Sequence, residues 1–160
     1  MRAVCLAIAA LALVAPAFAD PGLGHIGGST YGEDRITAST ARYWNNCVTG
    51  VDVGASLVLH DCSRIIGARL SRTRTASALY FRGRAYRDLG RTSEAQSDFL
   101  RARVSFDRIL YADAGDAMAL YGRGLSLIGL GRSTQGAADI DRATAIDSNV
   151  AADFARLVTF

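Results

Sequence analysis

Lysine is missing from this chain: all eighteen basic residues are arginine. The bias is one of codon or lineage usage and marks no site. Without lysine, the glycine-rich stretch "LGHIGG" (23–28) is no phosphate loop, since such a loop also needs a strand before it. Glutamate is nearly missing, with Glu33 and Glu94 the only two, so a paired-carboxylate hydrolase is not suggested. Histidine is limited to His25 and His60, and no glycine-flanked serine elbow occurs. Nucleophilic catalysis therefore has little to work with. No alternating run of strand length is found, and no run of apolar residues is long enough to span a bilayer, which takes about 20 residues. The net charge is +3 and the pI is near 9.0. The fifteen acids are interleaved with the arginines, and even the densest basic stretch, "RLSRTR" (69–74), reads as a solvated loop rather than a nucleic-acid surface.

What is present begins with a leader. "MRAVCLAIAALALVAPAFAD" places Arg2 ahead of an apolar run from Ala3 to Val14, then Pro16 and a small-x-small site. This is the pattern of a secretory signal peptide (1–19), cut after Ala19. The alternative is a short anchor that is never cut. No cysteine stands at the cleavage point to take a lipid, and no twin-arginine pair precedes the run. The expected location is periplasmic or secreted, with no stable membrane insertion once the leader is gone. Cleavage removes Cys5 and leaves Cys47 and Cys62, for which a disulfide is the default in an oxidising compartment. A redox pair or metal ligation are the alternatives. The spacing is not C-x-x-C, and His60 and Cys62 point to different helix faces. No metal and no cofactor is expected.

Residues 20–38 form a glycine-rich arm, and helical patterning starts near Thr40. Within that pattern a phrase is repeated: "ALYFRG" at 78–83 returns as "ALYGRG" at 119–124. Sliding residues 76–102 onto 117–143 makes twelve of the 27 positions identical, where chance gives about one or two. Each copy reads as two helices. Ala76, Leu79, Tyr80, Gly83 and Tyr86 recur at three- and four-residue steps, Leu89-Gly90 closes the helix, and Ala95, Phe99, Ala102 and Phe106 line the next. Thr92 or Ser93 is the expected cap of that second helix, and Ser133 its counterpart in the second copy. Gly83 and Gly124, facing Ala95 and Ala102, let antiparallel helices approach closely.

This pattern resembles the tetratricopeptide repeat, a 34-residue pair of helices. Leu79, Gly83, Tyr86, Ala95, Phe99 and Ala102 match in one unit, and Leu120, Gly124, Leu127, Ile140 and Ala143 in the next, with Gly136 standing where Ala95 stands. The departures are Arg82 and Arg123 in place of a leucine, Asp107 and Ser148 in place of the closing proline, and a period of 41. The extra seven residues predict a second helix that continues past Phe106 to Leu110, with "YADAGDA" (111–117) as the loop and Asp116 as the next cap.

The expected fold is all-α, a short solenoid of antiparallel helix pairs. A degenerate hairpin (39–67) precedes repeats at 76–110 and 117–147, and a helix capped by Asn149 (149–160) covers the end. In the first hairpin, helices over Tyr43–Val48 and Ala55–Ile66 would set Cys47 opposite Cys62.

The resemblance implies a non-enzymatic adaptor or scaffold whose first helices line a peptide-binding groove. Mapped onto this chain, the groove residues are Ser77, Tyr80, Arg84 and Arg87, then Met118, Tyr121, Leu125 and Ile128. Tyrosines with two arginines suit an extended peptide bearing carboxylates. The competing reading leaves the tyrosines in the core and the arginines merely solvated. The expected partner is a protein or peptide and not a nucleic acid. An envelope-assembly or chaperone-like subunit is one alternative, and a small secreted enzyme another.

Overall fold

In the computed structural model the described residues are 37–50, 53–68 and 70–156. The leader (1–19), nearly all of the glycine-rich arm and the last four residues of the expected end helix lie outside them. The described residues form seven helices and no strand: α1 (Ala38–Thr49), α2 (Gly54–Gly67), α3 (Arg72–Asp88), α4 (Thr92–Ala112), α5 (Ala117–Gly129), α6 (Ser133–Ile146) and α7 (Val150–Arg156). They pack as consecutive hairpins, α1 with α2, α3 with α4 and α5 with α6. The first helices also touch in series, α1 to α3, α3 to α5 and α5 to α7, and so build one inner face. The fold is all-α and solenoid-like.

Local chemistry accounts for the boundaries. Thr37, assigned to the arm, instead caps α1, its Oγ1 accepting the Thr40 backbone N–H at 3.3 Å. The helix therefore starts before the apolar pattern does. Asp116 caps α5 as expected, accepting from the Ala119 N–H at 2.9 Å. Gly90 and Gly131 sit in the left-handed region, φ 70° and 80°, just past α3 and α5. There the next residue's N–H reaches back 2.9 Å to the Tyr86 or Leu127 carbonyl. The expected caps Thr92, Ser93 and Ser133 are corrected. Arg91 and Arg132 hold the cap positions, and no side chain accepts a backbone N–H there. Instead the arginine reaches forward over the first turn, Arg91 Nε to Glu94 Oε1 at 2.8 Å and Arg132 Nε to Gln135 Oε1 at 2.5 Å. Helix α7 begins directly after Asn149, whose backbone N–H is bound by the Asp147 carboxylate at 2.9 Å.

Helix α4 runs 21 residues, absorbing the long period as expected. Its added turns bury Phe106, Ile109 and Leu110. They also explain a mismatch between the copies: Gly122 stands where Phe81 stands, and a Cβ at Gly122 would collide with the Phe106 ring. The added turn of α4 thus fills space that the first copy fills with its own phenylalanine. The tightest helix approach is in the third hairpin. A Cβ at Gly136 would lie 2.5 Å from the Gly124 carbonyl oxygen, and one at Gly124 would lie 2.7 Å from that of Gly136.

The two arginines that depart from the repeat pattern have a structural role. Arg82 binds Asp98 through two bonds, Nε to Oδ2 at 2.6 Å and Nη2 to Oδ1 at 2.8 Å. Arg123 binds Asp139 in the same way at 2.6 and 2.7 Å. Each also reaches back to the preceding hairpin, Arg82 to Ser63 Oγ at 3.0 Å and Arg123 to Asp107 Oδ1 at 3.1 Å. One guanidinium therefore ties three helices together, and planar two-point pairing of this kind is specific to arginine.

Candidate functional site

The inner face carries the site candidates. Helix α3 supplies Tyr80, Phe81 and Arg84; α5 supplies Tyr121 and Leu125; α7 supplies Ala151, Phe154 and Ala155; Val48 of α1 closes the edge. Together they line one cavity of about 250 Å³. A second cavity, of about 230 Å³, lies alongside, between the end of α1, the start of α2 and α3. Val48, Phe81 and Arg84 line both, so Arg84 stands between them, with Asp88 at the rim of the second.

Four of the residues expected to form a groove are thus brought together: Tyr80, Arg84, Tyr121 and Leu125. Arg84 is exposed and the other three are half-buried. Arg87 is exposed but does not line the cavity, its guanidinium lying 5.9 Å from the centre of the Phe99 ring. Ser77 is corrected: it is fully buried, its hydroxyl without a hydrogen-bond partner among the described residues. A small side chain on the central helix α3, with helices on several sides, goes inward whatever its polarity. Met118 is buried too, and Ile128 is exposed off the cavity.

Tyr80 marks the character of the face. Burial pushes its phenol above the ordinary value of 10.0, against the opposing pull of the Arg84 and Arg87 charges and of its hydrogen bond with Arg84. Its ring lies 5.9 Å from that of Phe99 and 6.3 Å from that of Phe154. Tyr121 is closer to Phe154, at 5.4 Å. These are ordinary separations for attractive ring pairs.

Phe154 was not singled out in the sequence. Helix α7 does more than cover the end of the stack. It carries Phe154 back across the inner face, where its ring also meets Phe81 at 5.8 Å and Phe106 at 6.3 Å. Val150 and Phe154, one turn apart, are both buried, which fixes the short helix by two anchors. The signal available in the sequence was that i, i+4 pair.

Cys47 and Cys62 lie with sulfurs 2.07 Å apart and Cα atoms 4.8 Å apart, as a disulfide requires. Both are fully buried, and Cys47 lines the second cavity. His60 hydrogen-bonds Asp61 at 2.8 Å, and Asp61 also accepts from Asn46 at 2.7 Å. Among the described residues no cluster of three or more histidines, cysteines or acids could hold a metal, and no helix is long and apolar enough to cross a membrane.

No protein-family model matches this chain, and no curated protein or solved structure compared with it matches either.

Proposed function

We propose that this chain is an exported, non-enzymatic protein of tetratricopeptide-like build that binds a protein or peptide segment along its inner face. The observation that carries this reading is the convergence of Tyr80, Arg84, Tyr121 and Leu125, from two different repeats, on one cavity. Phe154 is a guide to the chemistry taken there: a ring lies against Tyr80 and Tyr121, with Arg84 lining the same cavity. A partner segment with an aromatic or aliphatic anchor and a neighbouring carboxylate fits that surface. Periplasmic or secreted location follows from the leader pattern and is supported by the buried cysteine pair at bonding distance, since such bridges persist outside the reducing cytosol.

The test is affinity capture of partners from an envelope extract, followed by measured binding of the captured protein. Arg84→Ala should weaken that binding by about tenfold or more, the loss expected for a charge-assisted contact. Unchanged affinity in both Arg84→Ala and Arg87→Ala would remove the inner face as the binding surface.

A further inference from the structure

Most arginines of this protein are visibly occupied. Six face carboxylates (Arg82, Arg91, Arg101, Arg103, Arg123 and Arg142). Arg42, Arg64 and Arg87 lie over aromatic rings. Arg132 binds Gln135, Arg84 binds Tyr80, and Arg74 and Arg156 also have partners. Two described arginines remain, Arg72 and Arg108, and neither has a partner among the described residues. They come from different helices, and both line the same cavity of about 260 Å³.

That cavity shares no residue with the inner-face site. Ile66 at the end of α2 and Leu70 in the connection to α3 form its apolar part. Thr75 and Ser105 complete the lining, and no acidic residue does. Their hydroxyls are directed to the Leu70 and Arg101 carbonyls, at 3.4 and 2.8 Å, and so leave the guanidinium groups as the donors for a guest. Nor does helix stability account for Arg72. It opens α3, where a cation meets the positive end of the helix, and that first turn holds no acid to offset it.

We infer that this cavity binds a small amphiphilic anion, with an oxyanion head held between Arg72 and Arg108 and a short apolar chain laid against Ile66 and Leu70. Two unopposed guanidinium groups at one mouth favour a carboxylate or phosphate, and the aliphatic wall distinguishes an amphiphile from a bare ion. The "RLSRTR" stretch, read from sequence as a solvated loop, thereby contributes half of a site whose other half is a full helix away on α4.

Calorimetric titration of the purified protein tests this, with octanoate and octyl phosphate as probes. At least one should bind saturably at a single site, and the tighter of the two identifies the head group. Arg72→Gln and Arg108→Gln should each weaken it about tenfold or more, as loss of a charged hydrogen bond does. Both side chains are exposed and have no partner among the described residues, so each variant should keep the parent's helicity and melting temperature. Octanol and inorganic phosphate should each bind at least about tenfold more weakly than the tighter probe, since each supplies half of the interaction. Absence of saturable binding by both probes, affinity unchanged in both variants, or equal binding of octanol or inorganic phosphate would overturn the inference.

Discussion

The first hairpin and the two that follow it cross at the same point but hold it by different chemistry. Placing Asp61 with Asp98 and Asp139 puts Cys62 with Phe99 and Ile140 and Val58 with Ala95 and Gly136, while placing Asn46 with Arg82 and Arg123, the residues that bind those aspartates, puts Cys47 with Gly83 and Gly124. In α3–α4 and α5–α6 a glycine makes room for a large neighbour, whose atoms would lie 2.9 and 2.8 Å from an added Cβ. In α1–α2 the same contact is a pair of bonded sulfurs. The polar tie differs in parallel. Arg82 and Arg123 grip their aspartates with two bonds each from a charged guanidinium, whereas Asn46 gives Asp61 one bond from an uncharged amide. The terminal unit of a stack has a neighbour on one side only, so covalent closure there replaces packing that the inner units receive from both sides.

The largest effect that can break this comparison comes from the polar ties. Arg82→Leu leaves Asp98, whose side chain is 4% exposed, with only Arg101, at 3.3 Å, among the described residues. That change should cost about 3–5 kcal/mol in urea denaturation. Combining it with Asp98→Leu should recover most of the loss, because the stranded charge is gone. Asn46→Ala in the first hairpin should cost only about 1–2 kcal/mol, since a single bond from an uncharged donor is lost and His60 still meets Asp61. Equal costs in the two hairpins would mean that the ties are equivalent after all.

A smaller effect sharpens the contrast between α4 and α6. Hydrogen bonds from Arg91 and Ser93 hold the exposed Glu94 carboxyl down at about 2, against an ordinary 4.5. A lowered folded-state pKa adds stability above the ordinary value, and that stability is lost as pH falls through about 2. Carboxyl titration by NMR should therefore find the Glu94 midpoint near 2, with the first turn of α4 loosening below it. The first turn of α6 carries Gln135 at the matching position and should not respond over the same range.

Much of this architecture was legible because it is local or repeated. The 41-residue register predicted the hairpins, the long α4, the closing glycines and the Asp116 cap. Symmetry about one turn predicted the meeting of Cys47 and Cys62. The features that were missed depend on what lies across a helix interface. Arg82 and Asp98 each recur in the alignment, yet nothing in a single copy says that residues sixteen apart will face each other. Arg91 and Arg132 displaced the expected hydroxyl caps, since a long side chain reaching forward to Glu94 or Gln135 organises the same turn. Ser77 was mapped onto the groove from the repeat resemblance, although a small residue on a central helix is drawn inward by packing. Of the residues lining the inner-face cavity, Tyr80, Arg84, Tyr121 and Leu125 were named through the repeat. Phe154 was not, because a seven-residue helix outside the repeat gives no register to read.

Native-state hydrogen exchange with and without a thiol reductant tests most directly whether the first hairpin depends on its covalent tie while the others depend on packing. Closing a loop of this length contributes about 3 kcal/mol. Reduction should lower the protection of α1 and α2 amides by about that amount and leave α5 and α6 unchanged. An equal loss through all six hairpin helices, α1 to α6, or no loss in α1 and α2, would contradict the account.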